Sequence, residues 1–113
     1  MSFKKTKHKK RLGRCFELAG SYVLSNPDLI LVHGTIFSSA EPLAHAWVEN
    51  SEMEVYDLVE NKTYGPGEYY QKHDAKKIVT YTQKELAAEV VETGTWGPWK
   101  EKGYKDIPGL VLR

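Results

Sequence analysis

Ala44-His45-Ala46-Trp47-Val48-Glu49 and Val55-Tyr56-Asp57-Leu58 are the two stretches on which the predicted fold of this chain depends. We predict two neighbouring strands, residues 43–49 and 53–59, that contain these stretches. The three residues between them, 50–52, form a short loop, so the two strands are expected to pair as a hairpin. Each strand then contributes one titratable side chain, His45 or Asp57, to the same place.

The length of this loop decides which side chains share a face of the hairpin. With Glu49 opposite Met53, His45 lies opposite Asp57, and their Cβ atoms are within about 5.5 Å of each other. A two-residue loop would shift the pairing by one residue and put the two side chains on opposite faces. The sequence therefore predicts a His45–Asp57 pair on one face, provided that the loop has an odd number of residues.

The single cysteine of the chain, Cys15, stands at the start of a predicted helix over residues 14–24. Apolar residues at helical spacing form one stripe on it, and Pro27 prevents its continuation. In the first turn, the free N–H groups and the helix dipole stabilise a thiolate. The residues of the stripe are Cys15, Leu18, Ala19, Tyr22 and Val23.

The remaining segments complete an α+β pattern. A branched, apolar run over residues 29–37 predicts a central strand, in which Gly34 indicates a bulge or a close backbone approach. Turns are expected at 38–42 and 61–66, a short helical turn at 67–73, a strand at 77–82 and an edge strand at 110–112. Thr82 and Glu85 form a capping box that opens a second helix over 83–93. The apolar stripe of this second helix is Leu86, Ala87, Val90 and Val91.

The predicted fold class is thus α+β, with the N-terminal helix that carries Cys15 packed on a mostly antiparallel sheet. The aromatic segment 95–99 is expected to form a rigid turn after the second helix. The chain has 113 residues and shows no linker or repeat. We therefore predict a single domain over residues 12–113, which is long enough to bury one core.

Charge is distributed unevenly along the chain. Residues 4–14 hold seven of the sixteen basic residues, so the remainder has nine basic against fifteen acidic ones, a net charge of −6. We predict that residues 1–11 are a mobile basic tail. The tail is either an electrostatic handle for nucleic acid or an acidic partner, or a solvated extension without a partner.

Composition also restricts the kind of protein and its compartment. One cysteine excludes an intramolecular disulfide framework, and no apolar stretch follows the basic N-terminus before Leu12. We therefore expect no secretory signal and a cytoplasmic location. No run approaches the roughly 18 apolar residues of a membrane helix, so no membrane partner is expected. The four histidines match no zinc spacing, and we expect no metal.

A nucleophile with its base and its orienting acid is the chemistry that these residues favour. A thiol attacks a carbonyl carbon as the thiolate, and a neighbouring imidazole both accepts its proton and stabilises its charge. A carboxylate on the other imidazole nitrogen fixes the tautomer. The candidate catalytic residues are Cys15, His45 and Asp57, and they need no cofactor. The alternative is that Cys15 is a small core side chain and that His45 and Asp57 form a structural pair.

His45-Ala46-Trp47-Val48-Glu49 followed by Tyr56-Asp57 resembles the transglutaminase-like core of the papain-like cysteine peptidase superfamily. The resemblance covers roughly residues 12–60. It implies that Cys15 is the nucleophile, His45 the base and Asp57 the third member of a triad. It also implies a hydrolase, deamidase or acyltransferase that acts on an amide or ester, with a protein as one possible substrate.

Two further residues are candidates for substrate binding. His33 is expected on the strand beside His45, facing the same cleft, although a core histidine is the alternative. Trp47 shares the predicted face of His45 and would shield the His45–Asp57 bond from water, in addition to packing in the core. The other function class that remains open is a non-catalytic binding module, in which the basic tail contacts nucleic acid or an acidic partner.

Overall fold

In the computed structural model, which describes residues 3–8, 11, 13–99 and 102–111, four helices and five strands follow one another along the described part of the chain. The helices are α1 (Cys15–Ser25), α2 (Glu68–His73), α3 (Gln83–Thr93) and α4 (Lys102–Lys105). The strands are β1 (Ile30–Ser38), β2 (Glu41–Glu49), β3 (Val55–Asp57), β4 (Lys62–Tyr64) and β5 (Lys76–Tyr81).

The five strands form one antiparallel sheet in the order β4-β3-β2-β1-β5. The long β1–β2 hairpin turns at Ser39 and Ala40, which both have positive φ, and forms the centre of the sheet. The helix α1 packs on this sheet, and the predicted α+β class is confirmed. Among the described helices, none is both long and apolar enough to cross a membrane.

The face of the sheet that α1 covers is lined by alternate residues of β2. Ala44, Ala46 and Val48 are buried there together with Tyr56 of β3. The predicted stripe of α1 is confirmed, because all five of its side chains are buried in the same cluster. Burial of each large apolar side chain stabilises the fold by about 1.5–3 kcal/mol.

The opposite face holds a second cluster of aromatic and branched side chains. Trp47 of β2, Val55 of β3 and Tyr69 of α2 are all fully buried within it. His45 lies two residues before Trp47 and therefore belongs to this face of β2. Successive side chains of β2 therefore point alternately into the cluster beneath α1 and into this second cluster.

The predicted register of the β2–β3 hairpin is wrong by two residues. Glu49 pairs with Val55 rather than with Met53, and Val48 pairs with Tyr56. Asn50 closes the longer turn, because its Oδ1 accepts hydrogen bonds from the amides of Glu52 and Glu54, each at 3.0 Å. The loop has five residues instead of three, which is still an odd number. His45 and Asp57 therefore remain on one face, and this part of the prediction is confirmed.

The close approach predicted at Gly34 is confirmed. The pairing of β1 with β5 changes register between His33 and Gly34. A Cβ atom at Gly34 would lie 2.1 Å from the carbonyl oxygen of Lys76 and 2.6 Å from Cη2 of Trp47. Only glycine fits this position, because the ring of Trp47 covers the α-carbon of β1 on the face that it shares with His45.

Three other predicted elements have mixed outcomes. The capping box at Thr82 and the helix end at Gly94 are confirmed, but Val91 of the predicted stripe is 86% exposed. The predicted turn over 61–66 contains β4. In the predicted edge strand over 110–112, Val111 forms an isolated parallel bridge with Leu43, and Leu112 lies outside the described residues.

The described part of the basic N-terminal segment contacts the domain. The ring centroid of Phe3 lies 5.5 Å from that of Tyr56, whose hydroxyl accepts a hydrogen bond from the amide of Thr6 at 3.1 Å. The guanidinium of Arg11 donates to the carbonyl oxygen of Leu58. The mobility of residues 1–11 and the domain boundary at residue 12 stay predictions, since residues 1, 2, 9, 10 and 12 lie outside the described residues.

Candidate active site

A buried histidine–carboxylate pair stands at the centre of the candidate site. Nε2 of His45 lies 2.8 Å from Oδ2 of Asp57. His45 is 6% exposed and Asp57 1% exposed. A pair this close and this well shielded from water interacts far more strongly than a surface ion pair.

The carboxylate of Asp57 is held by the backbone that follows it. Its Oδ1 accepts hydrogen bonds from the amides of Val59, at 2.9 Å, and Glu60, at 3.0 Å. These bonds form because the chain turns immediately after β3, which aims two successive amides back at the side chain. The other oxygen, Oδ2, faces His45 and also accepts a hydrogen bond from the hydroxyl of Tyr69 at 2.6 Å.

Cys15 interacts with the same imidazole as Asp57 does. It is the first residue of α1, directly after the N-cap residue Arg14. Its thiol is near enough to the imidazole of His45 to raise the pKa of that ring, while Asp57 occupies Nε2 of the ring. The structure thus brings His45 and Asp57 into direct contact, with Cys15 in their neighbourhood.

The pKa values of the pair describe an ionised state. Burial lowers the pKa of His45, but the hydrogen bond with Asp57 and the further influence of Cys15 and of the Asp57 charge outweigh it and raise this pKa to about 10. Burial raises the pKa of Asp57, but the hydrogen bond and charge of His45 outweigh it and hold this pKa below its usual value. At neutral pH His45 is therefore an imidazolium and Asp57 a carboxylate.

The prediction that His33 faces the same side as His45 is wrong. His33 pairs with Ala46, so it points to the face of the sheet that α1 covers. There its ring contacts Phe16 of α1 at 4.7 Å between centroids and Trp99 at 5.1 Å. His33 is fully buried among these rings, and the structure does not bring it together with the other candidate residues.

Trp47 lies on the face predicted for it. Its ring centroid is 6.3 Å from that of His45, and the side chain is fully buried. The indole Nε1 donates to Oε2 of Glu49 at 3.1 Å, and the Tyr70 hydroxyl donates to the same carboxylate. Trp47 thus shields the pair from solvent on one side, but its complete burial leaves no surface for contact with a substrate.

The three candidate catalytic residues are enclosed in the structure. Cys15 is 7% exposed, whereas a surface cleft of about 790 Å³ lies elsewhere, between β5, α3 and the aromatic turn. This cleft includes Tyr81, Glu89 and Trp99 among its lining residues.

The sequence did not indicate Tyr69 as a site residue. Its segment was predicted only as a short helical turn that carries two tyrosines, and α2 confirms that turn. The composition of this turn could have indicated Tyr69, because Tyr69 lies in a segment without an apolar stripe. A tyrosine buried in such a helix needs a partner for its hydroxyl.

No metal centre accompanies these residues in the part of the chain that the structure describes, where no group of three or more histidine, cysteine or acidic side chains has a suitable arrangement. Comparisons with protein-family models, with curated proteins and with solved structures gave no match for this chain.

Proposed function

We propose that this protein is a cysteine hydrolase or acyl-transfer enzyme that acts on an amide or ester through Cys15, His45 and Asp57. The observation that supports the proposal is that His45 interacts with Cys15 and with Asp57 at the same time. A structural histidine–carboxylate pair needs neither a thiol near its ring nor the start of a helix at that thiol. The resemblance of residues 45–49 and 56–57 to the transglutaminase-like core points to the same chemistry.

The first half of the reaction forms a thioester. The sulfur anion of Cys15 attacks the carbonyl carbon of the substrate and makes a C–S bond, and the carbonyl electrons move onto oxygen. When the tetrahedral intermediate collapses, the bond to the leaving nitrogen or oxygen breaks. The imidazolium of His45 donates its proton to that leaving group, and the amide of Cys15 at the start of α1 is one donor available to the oxyanion.

The second half releases the acyl group. Neutral His45 accepts a proton from water or from an acceptor amine, which attacks the thioester carbonyl. The C–S bond breaks, the acid or the new amide leaves, and the imidazolium and sulfur anion are restored. Throughout, Asp57 holds the ring of His45 in one orientation and stabilises its positive charge. A reducing, cytoplasmic environment would keep the single thiol available for this cycle.

The experiment is a search for the acyl-enzyme. The protein is mixed with p-nitrophenyl acetate, quenched in acid, and analysed by peptide mass spectrometry for one acetyl group on Cys15. We expect the adduct in the wild type, its loss in Cys15→Ala, and a decrease of at least about 100-fold in its rate of formation in His45→Gln.

The matched control is His73→Gln. His73 forms a second histidine–carboxylate pair, with Nε2 2.8 Å from Oε1 of Glu60, at a partly exposed position. The rate of acetylation in this variant should stay close to that of the wild type, because Tyr69 keeps its ring contacts with Trp47 and Tyr64 when His73 is replaced. Acetylation of Cys15 at the same rate in His45→Gln and in the wild type would refute the proposed mechanism.

A second candidate function is supported by the exposure of the N-terminal lysines. Lys4, Lys5 and Lys7 all face solvent, although their neighbours Phe3 and Thr6 are partly buried against the domain. We propose as the alternative that this basic surface binds nucleic acid or an acidic protein through charge. The two candidates differ in that this one needs no reactive thiol.

Charge reversal tests this alternative better than deletion of residues 1–11, since deletion also removes the contacts of Phe3 and Thr6. The variant Lys4→Glu/Lys5→Glu/Lys7→Glu should lose binding to a single-stranded oligonucleotide. Its binding constant should also have a smaller dependence on salt concentration, by about 0.7 in logarithmic slope for each lost phosphate contact. An unchanged slope would refute a nucleic-acid interface at these lysines.

A further inference from the structure

The short helix α2 brings one hydroxyl group to the candidate site. Among the six residues of α2, Tyr69 is the one that is buried, and it is fully inaccessible to solvent. Its hydroxyl donates to Oδ2 of Asp57 at 2.6 Å. The same oxygen lies 2.8 Å from Nε2 of His45, so the two donors meet on one carboxylate oxygen.

The ring of Tyr69 is fixed by its neighbours. Its centroid lies 5.2 Å from that of Trp47, 5.1 Å from that of Tyr64 and 4.8 Å from that of His73. Rings in contact on several sides restrict both side-chain torsions, so the hydroxyl points in a constant direction. This geometry makes Tyr69 a rigid donor rather than a rotating one.

The surroundings of the hydroxyl also favour its protonated form. Burial first, and then the negative charge of Asp57, raise the pKa of Tyr69 far above its ordinary value. In return, the hydrogen bond of Tyr69 contributes to holding the pKa of Asp57 below its usual value, after the larger effect of His45. Together with the amides of Val59 and Glu60, Tyr69 satisfies the buried carboxylate.

We propose that Tyr69 is a positioning residue of this site, which holds the Asp57 carboxylate in the orientation that binds His45. Its part in a reaction rests on the function proposed above. Its effect on Asp57 does not, because the hydrogen bond and the ionisation of the carboxylate can be measured in the absence of any turnover.

The substitution Tyr69→Phe removes the hydroxyl and keeps the ring. We expect the titration of the Asp57 carboxyl group, followed by ¹³C NMR, to move upward by about one pH unit, the size expected for one hydrogen bond to a carboxylate. The rate of Cys15 acetylation by p-nitrophenyl acetate falls at acidic pH, and the pH at which it falls should move upward by the same amount. A residue that only packs in the core would reduce stability without moving either titration.

Tyr70→Phe is the matched control. Tyr70 stands on the same helix, but its hydroxyl donates to Glu49 instead of Asp57, so the Asp57 titration should not change. An unchanged titration in Tyr69→Phe, or an equal shift in both variants, would overturn the proposal. If Tyr69→Phe does not fold, the proposal is tested on the wild type instead. A slowly exchanging hydroxyl proton of Tyr69 in its proton NMR spectrum supports the proposal, and absence of that resonance at all acidic pH values overturns it.

The two proposals fail in distinguishable ways. A shifted Asp57 titration in a protein whose Cys15 is never acetylated upholds the role of Tyr69 toward Asp57 and refutes the enzyme. Acetylation of Cys15 in the wild type, together with an unchanged Asp57 titration in Tyr69→Phe, upholds the enzyme and overturns the role of Tyr69.

Discussion

His45 and Asp57 make a hydrogen bond of 2.8 Å although they are not cross-strand partners. The pairing of β2 with β3 consists of Val48 with Tyr56 and of Glu49 with Val55, and the same register continued would bring Asp57 opposite Trp47. The bond is therefore a diagonal one on a single face of the sheet. A five-residue turn and a three-residue turn keep the same face, so the pair tolerates the difference in loop length.

The stability of the protein should depend on pH through this pair. The pKa of His45 is raised from 6.5 to about 10, so its stabilisation is complete below pH 6.5 and is lost as the pH rises through about 10. The pKa of Asp57 is lowered, so its stabilisation is present above its unfolded value and is lost as the pH falls through the folded one. Urea unfolding between pH 6.5 and 10 should show a loss of a few kcal/mol in the wild type.

In His45→Gln this loss should be absent, after subtraction of the titrations that both proteins share. The matched control is again His73→Gln, which should follow the wild-type curve. If the wild type and His45→Gln lose the same free energy of unfolding over this pH range, the buried imidazolium–carboxylate pair does not exist in solution.

Gly34→Ala should destabilise the protein by at least about 2 kcal/mol. The new Cβ atom would overlap the carbonyl of Lys76, at 2.1 Å, and the ring of Trp47, at 2.6 Å. Gly65→Ala is the control, because its Cβ would meet only Oε1 of Glu68 at 3.9 Å, and it should change stability by less than about 0.5 kcal/mol. Equal urea midpoints for the two variants would contradict the close packing of Trp47 on β1.

Asn50→Ala should cost about 1–2 kcal/mol of stability, since it leaves the amides of Glu52 and Glu54 without their acceptor. The turn that sets the register of β3 is then weakened, so amide hydrogen exchange at Tyr56 should accelerate as well. Ser51→Ala, at an exposed position of the same turn, is the control. A stability of Asn50→Ala that matches Ser51→Ala would show that this side chain does not fix the turn.

Much of the α1–β2–β3 arrangement could be predicted from local patterns. The stripe of α1 and the parity of the hairpin each depend on a fixed period of side-chain direction, which the sequence displays directly. The register itself could not be predicted, because the side chain of Asn50 completes the turn and Met53 takes a positive φ of 62° within it. The number of residues between the two predicted strands does not reveal such a turn.

The contacts that the sequence did not reveal come from long-range packing. Tyr69 meets Asp57 only after α2 folds onto the second face of the sheet, and no spacing in the sequence encodes this meeting. The prediction for His33 is wrong because its strand partner is Ala46, the neighbour of His45 along β2. Neighbouring side chains of a strand point to opposite faces. Lys62–Tyr64 was predicted as a turn because a three-residue edge strand gives too short a pattern to recognise.

The most direct test of the proposed site is the pH dependence of the alkylation of Cys15 by iodoacetamide. With His45 present as an imidazolium beside the sulfur, we expect the wild-type rate to stay nearly constant from pH 8 down to about pH 5. In His45→Gln the rate should fall about tenfold for each pH unit below neutrality, as it does for an ordinary thiol. If the wild-type rate falls tenfold per unit over the same range and coincides with that of His45→Gln, Cys15 is a buried core cysteine and the proposed catalytic triad is refuted.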